Sequence, residues 1–330
     1  MSSSPNEGNG REVTRFIPLP TSVSSEAREF LGMGLGLGGD DAPAEISRSD
    51  IDGWRAQVEA VNEAMIAMFD LVPPVPASTV ESTVIGNVPV FVLQPDGVAQ
   101  DPDGPIYFDI HGGGLVFGAG DACRAMAMRS AATVRMTTYS VDYRVPPDHP
   151  YPAALDDCVA VYRGLLERFA PERIVVGGGS AGGNLAAALM LRARHEDLPL
   201  PAALVLLTPE IDLTESGDSF STNLGLDVVL QSRLTESIAL YAGDHDLTDP
   251  YLSPLFGDFT PPFPPTFVQA GTRDLFLSNA VRMHRALRAA GVDAELHVYE
   301  AMPHGGFFGA PEDDDLAEEI RRFIDAHLTR

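Results

Sequence analysis

The sequence predicts an α/β fold, a mostly parallel central sheet covered by helices on both faces. Two observations carry this. Beyond about residue 80, short apolar runs alternate with longer stretches of helical spacing, the rhythm of a parallel sheet wrapped on both sides. The chain has 330 residues, 45% of them hydrophobic, enough for one large core with insertions rather than several small domains.

The apolar runs are PVFVLQP, PIYFDI, MTTYSVDYR, RIVVG, ALVLLTPE, PTFVQAGTRD and AELHVYEAMPH. Each is short, and several are rich in β-branched and aromatic residues. Between them helices are expected near Asp121 to Val134, Pro152 to Phe169, Gly183 to Arg194, Ser278 to Ala290 and Asp314 to Leu328. Upstream, Trp54, Val58, Val61, Met65 and Met68 recur at helical spacing within Ile51 to Phe69. Pro73, Pro74 and Pro76 end that helix, because a residue before proline is driven out of the helical region. The stretch 212–254 breaks the rhythm between two strands. The expectation is a single domain over 1–330, a helical cap drawn from about 13–72 and 212–254, and a disordered tail at 1–12.

Composition excludes several classes. The net charge of −25 arises from 47 acidic and 22 basic residues, and every basic residue is Arg. That field repels phosphate backbones and anionic lipid, so neither nucleic acid nor a membrane is expected as partner. The opening MSSSPNEGNGRE lacks a basic segment followed by an apolar stretch, and no apolar run approaches bilayer length, which predicts a soluble, cytoplasmic protein. Cys123 and Cys158 have neither CxxC spacing nor clustered His partners, so they read as reduced packing residues and no metal is expected. The glycines of LGMGLGLGG, Leu31 to Gly39, imitate a dinucleotide fingerprint. No strand precedes them, so they read as a cap loop and no cofactor is expected.

Chemistry concentrates in three places. Gly178-Gly179-Ser180-Ala181-Gly182 follows the strand RIVVG and precedes a helical run, the context of a nucleophile elbow and hence of the α/β-hydrolase fold. The sharp turn lifts the serine hydroxyl above the sheet and sets the Ala181 amide at a helix N-terminus, where it can donate to an oxyanion. His111-Gly112-Gly113-Gly114 ends PIYFDI, where this fold draws its other oxyanion donors. Gly113 and Gly114 are assigned with Ala181, Gly112 remaining open, and His111 is read as structural. Three residues without Cβ atoms should also leave room on the alcohol side of an ester.

The base is His304, which alone among eight histidines lies on a loop directly after the last strand. The acid is Asp274, after the penultimate strand, with Asp293 and Glu300 as alternatives; serine, acid, histidine is the order of this fold. His304 would take the Ser180 proton while Asp274 fixes the imidazole tautomer.

With these residues in place the chain resembles the bacterial branch of the hormone-sensitive-lipase family, esterases marked by HGGG and GDSAGG. The likeness spans roughly residues 80 to 325. DYRVPPDHPYPAALDD, Asp142 to Asp157, and GGSAGGNLAA carry it. The resemblance implies a helical cap and hydrolysis of short- to medium-chain carboxylic esters through an acyl-enzyme, without a cofactor. Three features depart from the family: Gly179 replaces its Asp, Leu115 the aromatic after HGGG, and the stretch Leu275 to Asn279 its PLRDE. Glu210 could approach the site or form a structural salt bridge. Lactone hydrolysis and deacetylation use the same triad, a non-catalytic binding protein is the alternative of another class, and a homodimer is compatible with the sequence.

Overall fold

The computed structural model describes residues 10, 13–14, 16–33, 46–71, 75–76, 78–99 and 101–328. The tail at 1–12, apart from Gly10, and the glycine run beyond Met33 lie outside them.

Among the described residues, eight strands form one sheet: β1 (Ser78–Ile85), β2 (Val88–Pro95), β3 (Ile106–Ile110), β4 (Thr137–Val141), β5 (Ile174–Gly179), β6 (Ala203–Leu207), β7 (Thr266–Gly271) and β8 (Ala294–Tyr299). Their order is β1-β2-β4-β3-β5-β6-β7-β8. The run from β4 to β8 is parallel, and β2 is antiparallel to both neighbours. β1 was not among the expected strands. It lies at the sheet edge, with Thr79, Glu81 and Ser82 exposed among its apolar residues, so it forms no apolar run, but Gly86 and Asn87 (φ 59° and 65°) close a tight hairpin to β2.

The helices are α1 (Ser25–Met33), α2 (Ile51–Leu71), α3 (Asp121–Val134), α4 (Ala153–Leu166), α5 (Ala181–His195), α6 (Ser219–Thr222), α7 (Thr235–Ala242), α8 (Leu277–Ala289) and α9 (Pro311–His327). Successive strand residues point to opposite faces, and both faces are apolar. Phe108, Val176, Leu204 and Val268 pack with α4, α5 and α8. Their neighbours Tyr107, Val175, Val205 and Phe267 pack with Ile320, Phe323 and Ile324 of α9. This two-sided burial is why the strands read as continuous apolar runs rather than alternating ones.

Only Trp54 of the predicted α2 stripe is fully buried. It packs with Val116 of the loop after β3 and with Leu240 of α7. Asn62 adds a polar tie, its Oδ1 accepting the Gly118 N–H at 2.7 Å.

Candidate active site

Register brings the site residues to one edge. Gly179 lies beside Leu207, Leu207 beside Gln269, and Gly271 beside Tyr299, so the segments carrying Ser180, Glu210, Asp274 and His304 leave the sheet side by side.

Ser180 has φ 56° and ψ −124°, a conformation that residues with a side chain rarely adopt. Main-chain bonds hold it there: its N–H donates to Leu207 O at 2.9 Å, and its carbonyl accepts from Glu210 N at 3.0 Å and Asn184 N at 3.2 Å. The turn is sharp because α5 abuts the end of β3. A Cβ at Gly182 would lie 1.9 Å from the Ile110 carbonyl oxygen, so any side chain there would push the helix off the sheet.

His111 is buried and stacks on Tyr143, ring centroids 4.0 Å apart. Its Nδ1 lies 2.7 Å from Gly112 O, and its carbonyl accepts the Tyr143 hydroxyl at 2.9 Å. Burial pushes its pKa down to about 4, so the ring is neutral and suits the structural role read from the sequence. The amides of Gly112, Gly113 and Gly114 donate to no acceptor among the described residues. Gly113 has φ 126°, and a Cβ on it would lie 2.2 Å from Phe117 O. It would therefore enter the protein rather than the space for an alcohol, which corrects the steric expectation at this glycine. The Cβ that would approach the serine is that of Gly112, 3.3 Å from Ser180 Cβ.

Asp274 and His304 meet, with Asp274 Oδ1 at 3.1 Å from His304 Nδ1. The same oxygen accepts the Phe276 N–H at 2.8 Å, which fixes the carboxylate plane. Both residues are buried, and the Phe276 ring packs edge-on to the imidazole. Burial opposes the imidazolium, but the Asp274 charge and hydrogen bond and the charge of Asp227 outweigh it, and the His304 pKa is raised. Ser180 Oγ forms no hydrogen bond to His304 in this structure; such contacts often tighten only with substrate bound. Asp293, the alternative acid, lies instead 3.5 Å from His327 Nε2, before β8.

Two residues were missed in the sequence. Asp227 is buried and accepts four main-chain N–H bonds, from Val229 (2.9 Å), Leu230 (3.0 Å), Leu275 (2.9 Å) and His304 (3.1 Å). Asn223 Nδ2 donates to Asp274 O at 2.8 Å and Thr272 O at 3.2 Å. No motif marks either one, because their partners lie far along the chain.

Glu210 approaches the elbow through its main chain and forms no salt bridge: both carboxyl oxygens are buried without a partner among the described residues. Burial, with a smaller push from Glu215, raises its pKa to about 8, so the carboxyl is protonated at neutral pH. A raised folded-state pKa contributes stability below the unfolded value and loses it as pH climbs towards 8. Glu210→Gln, which mimics the neutral acid, is expected to raise Tm at pH 9 by at least a few °C and by less at pH 5. Differential scanning fluorimetry at the two pH values checks this, and equal shifts would refute the assignment.

Among the described residues, one group of three potential metal ligands has its ligand atoms within 4.8 Å of one another: His111, Cys123 and Asp142. Each is already used by the fold: His111 against Gly112, Cys123 against Ser140 and Val141, and Asp142 by the Gly120 N–H. A cleft of about 640 Å³ beneath α2, lined by Val58, Asn62, Ile66, Asp142 and Tyr143, opens beside the glycine loop. Ser180, Asp274 and His304 do not line it.

Residues 107–308 match the family model described as alpha/beta hydrolase fold. An esterase of Acinetobacter venetianus is 35% identical over 62% of this chain and 68% of its own length. The crystal structure of an esterase superposes with a TM-score of 0.86 at 34% identity, covering 98% of this chain and 100% of that one. An esterase from the bacterial hormone-sensitive lipase family superposes at 0.79 with 31% identity, covering 93% and 99%. No helix among the described residues is long and apolar enough to cross a membrane. With its sheet order, its strained serine between β5 and α5 and its paired Asp274 and His304, the chain belongs to the alpha/beta hydrolase fold family, in the bacterial hormone-sensitive-lipase-like branch.

Proposed function

We propose that the protein hydrolyses short- to medium-chain carboxylic esters, with Ser180 as nucleophile, His304 as general base and acid, and Asp274 orienting the imidazole. The observation that carries this reading is the buried Asp274–His304 pair at 3.1 Å, on the same sheet edge as a serine in the left-handed region. His304 Nε2 takes the Ser180 proton as Oγ attacks the ester carbonyl. The amide of Ala181 and those of Gly113 and Gly114, or Gly112 in place of one, stabilise the oxyanion. The alcohol leaves with the proton from His304, and water repeats the sequence on the acyl-enzyme. The relatives named esterases support the ester class. The test is covalent: a fluorophosphonate should add one phosphonyl group at Ser180, read by peptide mass, and a protein of this fold that only binds its ligand would not be labelled.

The same reading assigns the cap to the segments at about 13–72 and 212–254. Its support is the seating of Trp54 between the glycine loop and α7, with Asn62 bonded to Gly118. Deleting the residues before Val72 is expected to change acyl-chain preference or lower turnover while circular dichroism keeps the core signal. An unfolded truncation product would make the segment part of the core. A cytoplasmic setting accords with Cys123 and Cys158 being buried free thiols.

A further inference from the structure

We infer that Asp227 is a positioning residue of this site, whose one buried carboxylate fixes the main chain carrying both His304 and Asp274 and adds a second negative charge behind the imidazole. The inference rests on the assignment of Ser180, Asp274 and His304 given above.

The geometry is that of a clamp between distant parts of the chain. Oδ1 accepts the N–H groups of Val229 and Leu230, which anchors the carboxylate in its own turn. Oδ2 reaches across to Leu275, 48 residues on, and to His304, 77 residues on. The carboxylate therefore grips the residue after the acid and the main chain of the base itself. Four N–H donors match the four lone pairs of an ionised carboxylate. A primary amide offers one acceptor oxygen and would turn an NH₂ towards donors, so Asn cannot reproduce the arrangement.

Other contacts tie the two loops to each other. Thr272 Oγ1 accepts the Ala301 N–H at 2.7 Å, Thr272 N–H donates to Tyr299 O at 2.9 Å, and Arg273 N–H to Met302 O at 3.2 Å. These bonds join the acid loop to the chain before His304, and Asp227 is the tie that reaches the main chain of His304. The charged groups bearing on the His304 ring are Asp274 and Asp227, and those bearing on Asp227 include Asp274 and His304. Burial and then the neighbouring Asp274 raise the Asp227 pKa, against the opposing pull of His304 and of its N–H donors. With Asp227 ionised, its field supports the imidazolium formed as Ser180 loses its proton.

The test is Asp227→Asn, with Asp227→Ser as a second variant that leaves space for water at the four donors. Kinetics on p-nitrophenyl acetate are measured across pH, and circular dichroism confirms the fold of the variant used. A fall in kcat of about 10²-fold is expected, the scale for a slight misplacement of a reacting group, with KM within about threefold of wild type. The acidic limb of kcat/KM should also move to lower pH, because a charge that favours the protonated imidazole has gone. A folded variant with unchanged kcat and limb overturns the inference. So does a loss of kcat with the limb fixed, which would leave Asp227 a structural brace without electrostatic effect. Ser180→Ala and His304→Ala are assayed alongside. If those variants stay active, the triad assignment falls; if they are inactive and Asp227→Asn matches wild type, only the present inference falls.

Discussion

Ser180→Ala is expected to lower kcat/KM on a short-chain ester by about 10⁴- to 10⁶-fold while leaving Tm within a few °C of wild type. The two halves of this expectation have separate causes. In the proposed mechanism the hydroxyl carries the chemistry, yet it forms no hydrogen bond to His304 here, whereas the fold of the elbow depends on the Ser180 main chain and on the close approach of Gly182 to Ile110. Alanine keeps both. His304→Ala should cost as much in rate, since His304 is the proposed acceptor of the Ser180 proton. Asp274→Asn should cost less, because its neighbour still holds the loop through Leu275 and His304. Initial rates on p-nitrophenyl acetate, with active-site titration to count competent enzyme, check all three. Near wild-type rates in Asp274→Asn together with an inactive Asp293→Asn would move the acid elsewhere.

The second large effect is expected at Gly113. A Cβ there collides with the Phe117 carbonyl at 2.2 Å from a backbone with φ 126°, so Gly113→Ala must shift the loop whose amides are proposed to hold the oxyanion. Losing a donor costs about 10² to 10³ in rate. Because the new methyl enters the protein and not the substrate space, ethyl acetate and tert-butyl acetate should suffer equally. Gly112→Ala, whose Cβ approaches Ser180, should penalise the bulkier alcohol more. The measurement is the ratio of kcat/KM for the two esters in each variant. A ratio that changes for Gly113→Ala and not for Gly112→Ala would reverse the assignment of steric space.

What was legible in the sequence was local. The elbow, the HGGG loop and the loop histidine are contiguous residues whose chemistry follows from neighbours a few positions away. The two-sided strands could be read because burial on both faces leaves an unbroken apolar run. α3 was read with its observed limits, Asp121–Val134, where glycine precedes it and a left-handed Arg135 follows. β1 escaped because an edge strand needs no apolar run and is defined by pairing with β2. Asp227 and Asn223 escaped for a stronger reason: an aspartate before Val-Val-Leu looks like any turn residue until the chain brings Leu275 and His304 to it. Glu210 was noticed, but that its carboxyl has no partner among the described residues could be seen only once the residues around it were in place.

The bonds of Asp227 bear on how such an enzyme can diversify. Loops and insertions are where related proteins vary, and variation there commonly changes what is accepted as substrate without disturbing the machinery beneath. In this chain the insertion that follows β6 contributes the residue gripping Leu275 and His304, so it braces those loops as well as forming part of the proposed cap. Remodelling it freely would loosen the base together with the pocket. Evolution of new preferences is thereby channelled towards positions whose side chains leave the short turn at Asp227–Leu230 intact, and a graft of this insertion from a relative would have to bring that turn with it.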